Sequence, residues 1–135
     1  MSAARAFFDT NILIYLFSAD PQKADRCEAL LAAGGVISVQ VLNEFAAVAS
    51  RKFKAPWADI REALEIFSTT LDVEPLSLET HRLALDLAER HRLNVYDAAI
   101  LAAAELAGCE TLYSEDMHSG LTLASGLALR NPFED

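Results

Sequence analysis

The segment Ala6-Phe7-Phe8-Asp9-Thr10-Asn11-Ile12-Leu13-Ile14-Tyr15-Leu16-Phe17 sets an apolar strand, a polar turn and an apolar helix in succession. Ala6-Phe7-Phe8 has the composition of a short buried strand, and Asp9-Thr10-Asn11 supplies side chains that cap the free N–H groups of a helix start. Ile12 to Phe17 then reads as an apolar helix. A strand that turns directly into a helix is the building unit of α/β folds. Asp9 therefore falls at the carboxyl end of a strand, the edge at which open parallel sheets bind their ligands.

Working outward, the same alternation recurs. Asp20-Pro21 opens an amphipathic helix (Ala24, Cys27, Leu30, Leu31) that stops at Gly34-Gly35, and Val36-Ile37-Ser38-Val39 reads as a second strand. Ser38 or a near neighbour begins a helix with Val41, Leu42, Phe45, Val48 and Ala49 on one face, ended by Arg51-Lys52-Phe53-Lys54. Pro56 opens a helix carrying Ile60, Leu64 and Phe67; Val73-Glu74-Pro75-Leu76 is a weak strand, and Ser77 caps a helix to about Arg92. Val95 to Ala107 is an Ala-rich helix ended by Gly108, followed by a strand at Thr111-Leu112-Tyr113, a turn or short helix from Glu115-Asp116, and a last strand at Leu127-Ala128-Leu129. No linker, repeat or low-complexity stretch interrupts the pattern. Residues 1–135 are expected to form a single α/β domain, with a mainly parallel sheet of four to five short strands and helices on both faces.

Composition narrows the function. Of 135 residues, 53% are apolar, enough for one core and against intrinsic disorder. Asp and Glu number 20 against 11 Lys and Arg, a net charge of -9, which excludes a general basic surface for nucleic acid. The mean hydropathy of +0.20 leaves apolar surface for a partner or a second copy. Cys27 and Cys109 lie far apart in no metal or redox spacing and read as buried thiols. The longest clean apolar run, Ala98–Ala104, is far shorter than the roughly 20 residues of a membrane span, and Asp9 and Asn11 interrupt the apolar stretch near the N-terminus. The expected location is the cytoplasm, with no membrane association.

Most of the acids sit on polar helix faces, but Asp9, Glu44, Asp97 and Asp116 stand in apolar surroundings. Asp9 and Asp116 follow strands, Asp97 heads the most apolar helix, and Glu44 lies about 40° around its helix from Val48, at the edge of the apolar stripe. Singly, Asp9 and Asp97 read equally well as helix caps, Glu44 as a solvated helix residue, and Asp116, beside Glu115, as a turn acid. Jointly they gather at one sheet edge. Carboxylates brought together in low dielectric must either protonate or hold a cation. An all-oxygen set without Cys or His favours Mg²⁺ or Mn²⁺.

Four segments now stand in order: Phe7-Phe8-Asp9-Thr10-Asn11-Ile12-Leu13-Ile14-Tyr15, Val41-Leu42-Asn43-Glu44-Phe45, Tyr96-Asp97-Ala98-Ala99-Ile100-Leu101-Ala102-Ala103-Ala104 and Leu112-Tyr113-Ser114-Glu115-Asp116. They resemble the signature segments of PIN-domain ribonucleases across essentially the whole chain, and a single-domain chain of this size resembles the VapC-type toxins of bacterial toxin–antitoxin pairs. The resemblance implies a three-layer PIN-like fold and a metal-dependent endoribonuclease that leaves 5′-phosphate and 3′-hydroxyl ends on RNA. It implies Asp9, Glu44, Asp97 and Asp116 as the acidic site, with Thr10, Asn11 and Ser114 as polar support. In that reading Asp9 and Asp97 hold the tighter Mg²⁺ or Mn²⁺, Asp116 serves a second or weaker ion, and Glu44 orients water or acts as general base. Glu115 is a departure that divides the fourth position between two adjacent acids. A homodimer is implied too, together with an antitoxin that inserts an Arg or Lys among the carboxylates. The helices around Ile12–Phe17 and Leu42–Val48 are the expected docking surface.

Other features leave alternatives open. Arg51, Lys52 and Lys54 follow Glu44 by two helical turns and either guide an RNA backbone or cap a helix terminus. His81 and His91 are expected to face solvent, while His118, near Asp116, stands where it can touch substrate. A metal-dependent phosphohydrolase with Asp9 as phosphoryl acceptor is a rival, weakened by Asn11 where that chemistry wants a second acid. A catalytically silent module whose acidic pocket accepts a basic peptide is another. No nucleophile elbow, P-loop or dinucleotide fingerprint is present.

Overall fold

Strands of three residues make too few ladder hydrogen bonds to hold a sheet, so burial of their side chains has to do it. The computed structural model, which describes residues 5–117 and 120–134, shows this arrangement. β1 (Ala6–Phe8), β2 (Val36–Ser38), β3 (Asp72–Glu74), β4 (Thr111–Tyr113) and β5 (Ala128–Arg130) form one parallel sheet in the order β3-β2-β1-β4-β5. The flanking helices are α1 (Thr10–Ile14), continued by a 3-10 turn at Tyr15–Phe17, then α2 (Pro21–Ala32), α3 (Val39–Arg51), α4 (Trp57–Thr70), α5 (Leu78–His91) and α6 (Val95–Leu106). The α/β architecture expected from the alternation is the one observed.

β1 is the central strand. Phe7 lies opposite Val36 on one side and Leu112 on the other, and all three are fully buried. Each such side chain contributes about 1.5–3 kcal/mol. The chain moves outward from β1 through β2 to β3, then returns to the far side of β1 to lay down β4 and β5. The direction of progression thus reverses between β1 and β4, which leaves a crevice beyond their carboxyl ends. Asp9 and Ser114 are the next residues after these two strands. The Asp9 N–H extends the ladder by one bond, donating to the Tyr113 carbonyl at 3.0 Å.

α6 is buried along its middle, from Ala98 through Ala104, and its small side chains allow α5 to pack closely against it. Two expectations change. The first helix begins at Thr10 rather than Ile12, because the Asp9 carboxylate accepts the Thr10 N–H, and beyond Ile14 it tightens into a 3-10 turn. Within the stretch expected to dock a partner, Ile12 and Leu13 are fully buried in the core, Ile14 and Tyr15 are half-buried, and Leu16 and Phe17 reach solvent at 37% and 41% exposure. In α3, Phe45 is buried and Leu42 and Val48 are half-buried. The last strand is Ala128–Arg130, one residue beyond its expected place. Among the described residues no helix is long and apolar enough to cross a membrane.

Gly35 sets the approach of β2 to β1. A Cβ there would stand 2.5 Å from the Phe8 ring and 2.6 Å from the Ala6 carbonyl oxygen. Backbone cannot yield to it as a flexible side chain would, so Gly35→Ala is expected to destabilise the fold by about 3 kcal/mol, read as a lowered urea midpoint.

Candidate acidic active site

Each of the four acids is placed by a different local device. Asp9 is the N-cap of α1, directly after β1, and its side chain is 5% exposed. Glu44 stands in the second turn of α3, which starts where the Ser38 hydroxyl accepts the Val41 N–H. Asp97 is in the first turn of α6, whose N-cap is Asn94. The Asp97 N–H donates to Asn94 Oδ1 at 2.8 Å, and Asn94 Nδ2 donates to Asp97 Oδ2 at 2.9 Å, so this pair closes on itself. Asp116 is on an exposed turn after β4 and belongs to no helix or strand.

The polar support residues connect these acids. Asp9 Oδ1 accepts the Thr10 N–H at 2.7 Å, and Asp9 Oδ2 accepts the Ser114 hydroxyl at 2.6 Å. Asn11 Nδ2 reaches Asp9 Oδ2 at 3.4 Å and Asp116 Oδ2 at 3.1 Å, bridging the first and fourth acids. Thr10 Oγ1 donates to Glu44 Oε1 at 3.1 Å, and Gln40 Nε2 donates to Glu44 Oε2 at 2.8 Å. Gln40 and Asn94 were not singled out from the sequence. Their signals were present as an i,i+4 Gln to Glu pair and an Asn three residues before Asp97.

Glu115, the second of the adjacent acids, turns toward Tyr15 and Lys23. It accepts the Tyr15 hydroxyl and pairs with Lys23 Nζ at 2.9 Å. Burial pushes its carboxyl up, but the hydrogen bonds from Tyr15 and Lys23 outweigh this and hold it below its ordinary value. Lys52 lines a cavity of about 410 Å³ together with Asn11 and Asp116, whereas Arg51 and Lys54 do not line it. Lys54 has a positive φ of 50° just past the end of α3. His81 is exposed and His91 half-buried, and His118 lies outside the described residues. Cys27 and Cys109 are buried free thiols, pushed up to about 11 chiefly by burial, and so unreactive.

Electrostatics distinguishes this cluster from a set of caps. Burial drives the Asp9 carboxyl up from 3.8 to about 6, against the Ser114 and Thr10 hydrogen bonds, and the charges of Asp97 and Glu44 push the same way. Asp97 is raised as well, first by burial and then by Glu44 and Asp116, with the Asn94 bond opposing. Asp9 and Asp97 therefore each feel the charge of other acids in the cluster. No three acidic, His or Cys side chains among the described residues stand close enough to hold a metal ion in this arrangement. Asn11 stands between Asp9 and Asp116, donating to both. The donor set itself fits a hard divalent cation: all oxygen, with one buried carboxyl whose negative form lacks a counter-charge.

The sign of the pH effect follows. Between pH 3.8 and about 6 the native state keeps a proton on Asp9 that the unfolded chain has released. The cost of the buried charge therefore grows as pH rises through that window and is complete above it, roughly 3 kcal/mol for a shift of this size. Asp9→Asn is expected to stabilise the protein against urea at neutral pH in EDTA, and to change little below the window.

A PIN domain family model matches residues 6–118. Among solved structures, a toxin–antitoxin complex from Klebsiella pneumoniae contains a chain 26% identical, with a TM-score of 0.71, covering 96% of this chain and 99% of that one. VapC20 of Mycobacterium tuberculosis, described as a toxin that cleaves the sarcin-ricin loop, is 22% identical with a TM-score of 0.68, covering 82% of this chain and 91% of that one. VapBC2 from Rickettsia felis, bound to a DNA fragment from its promoter, is 22% identical with a TM-score of 0.67, covering 93% of this chain and 97% of that one. Among curated proteins none is similar enough to stand as a relative. The family match runs from the first residue of β1 past the turn that carries Asp116, and on that extent this chain belongs to the PIN domain family.

Proposed function

We propose that this chain is a Mg²⁺- or Mn²⁺-dependent endoribonuclease and the toxin of a toxin–antitoxin pair. The observation that carries the reading is the buried Asp9 carboxyl, raised to about 6 and flanked by the charges of Glu44 and Asp97 at the crevice between β1 and β4. A protein that needed only a helix cap would not incur that cost. Asp9 and Asp97 would hold the tighter cation and Asp116 a second or weaker one. When bound, such a cation neutralises the scissile phosphate and makes water a better nucleophile.

The chain's own residues supply orientation. Ser114 and Thr10 fix the Asp9 carboxylate, and Asn11 ties it to Asp116. Thr10 and Gln40 hold Glu44 through one bond to each oxygen, which aims the carboxylate to orient attacking water or take its proton. Attack on phosphorus opposite the 3′-oxygen breaks the P–O3′ bond, and solvent protonates the leaving oxygen, giving 5′-phosphate and 3′-hydroxyl ends. Asp9 as a phosphoryl acceptor is disfavoured, because both of its oxygens are engaged and it is 5% exposed.

Partners follow from the neighbours. The Klebsiella toxin–antitoxin complex supports an antitoxin as the partner that keeps this activity in check. A homodimer acting in the cytoplasm belongs to the same proposal. With a net charge of -9, RNA affinity is weak and local, and Lys52 at the mouth of the site is its best-placed cation.

Purified protein is expected to cut members of an RNA panel with Mg²⁺ or Mn²⁺ and not with EDTA. Asp9→Asn should abolish cleavage and Glu44→Gln should slow it by about 100-fold; retained cleavage in Asp9→Asn sinks the site. Lys52→Ala should weaken RNA binding and lower the salt slope by about 1, as read by filter binding across a salt series.

A further inference from the structure

Asp9, Glu44 and Asp97 are each carried by a strand end or a helix, whereas Asp116 sits on a turn with no ladder or helical bonds of its own. Something else has to fix it. On the inner side the Ser114 hydroxyl accepts the N–H groups of Asp116 and Met117 at 3.2 and 3.1 Å, and Asn11 Oδ1 accepts the Glu115 N–H at 3.3 Å. On the outer side Glu115 is held from two elements at once. Tyr15, at the end of α1, donates its hydroxyl to Glu115 Oε1, and Lys23, in α2, donates to Glu115 Oε2 at 2.9 Å. Lys23 Nζ also donates to the Tyr15 hydroxyl at 3.2 Å, closing a triangle. The ammonium lies 5.0 Å from the ring centroids of both Tyr15 and Phe133, and those rings meet edge to face at 5.0 Å. The chain after β5 thus covers the same cluster.

Resting on the reading of Asp116 as a cation ligand, we propose that Lys23, Tyr15 and Glu115 form a positioning clamp that fixes the Asp116 turn beside Asn11 at the rim of the crevice, where the weaker cation would bind. Glu115 is then a positioning residue and not an alternative ligand, which settles the roles of the two adjacent acids. The energetics agree with a positional role. A partly exposed ion pair and a surface cation–π contact add little to global stability. Partners that orient metal ligands, by contrast, change metal affinity by about 10–100-fold.

The test is Mn²⁺ titration of the whole protein without RNA, followed by electron paramagnetic resonance of free Mn²⁺, beside urea denaturation of each variant. Lys23→Ala and Tyr15→Phe are expected to weaken Mn²⁺ binding about 10-fold with small shifts in the urea midpoint. Lys23→Arg should bind nearly as the parent does, and the double exchange Lys23→Glu with Glu115→Lys should recover most of the loss. Asp116→Asn separates the two readings. If it weakens Mn²⁺ binding and Lys23→Ala does not, the clamp is overturned and the site stands; if it changes nothing, the ligand role of Asp116 fails and the clamp with it. Lys23→Ala that lowers the urea midpoint with unchanged Mn²⁺ affinity also overturns the proposal.

Discussion

The hydrogen bond from Ser114 to the buried Asp9 carboxylate joins the two strands between which the sheet changes direction. Around that bond the rest of the site is arranged. Asp9 caps α1, which sends Thr10 toward Glu44 on α3 and Asn11 toward Asp116, so one short helix distributes contacts to two other acids. The aromatic pair Phe7-Phe8 is what makes this possible, since it anchors β1 in the core and leaves the next residue at the rim. Phe8 in turn needs the missing side chain of Gly35 to seat its ring. The position of a carboxylate in the crevice is thus set by packing two residues away.

The elements with strong periodicity were legible in the sequence. α3 and α6 announced themselves by apolar spacing, β1 by its aromatic pair and α5 by the Ser77 cap, and all begin within a residue or two of the expected place. The candidate acids stood out for a related reason: singly each could be a cap, a solvated helix residue or a turn acid, and it was their joint occurrence in apolar surroundings that set them apart. What the sequence hid were contacts between distant positions. Ser114 with Asp9, Tyr15 with Glu115 and Lys23 with Glu115 are separated by 105, 100 and 92 residues, and no local pattern encodes such pairings. The first helix was misjudged because its apolar residues serve the core on one turn and solvent on the next. Its shortness defeats periodicity.

The adjacent acids Glu115 and Asp116 show how geometry divides residues that composition treats alike. Successive side chains on an extended turn point to opposite sides, so one acid faces Asn11 and the crevice while the other faces α2. The inward acid stays with its fellow carboxylates and the outward one gains a cation. Among the described residues the turn therefore holds one carboxylate without an ion pair and one paired with Lys23.

Because the central strand comes first and its neighbour β4 is formed by residues 111–113, the strand pair that carries the site closes late along the chain. During synthesis Asp9 emerges early, but Ser114 and Asp116 follow only after four of the five strands and all six helices have been made. A chain that stops short of β4 accordingly carries Asp9, Glu44 and Asp97 but neither the Ser114 bond nor the Asp116 turn. Contacts of such long sequence separation also form slowly, as loop closure has to precede their reward. The crevice is in this way completed only when nearly the whole chain has been made.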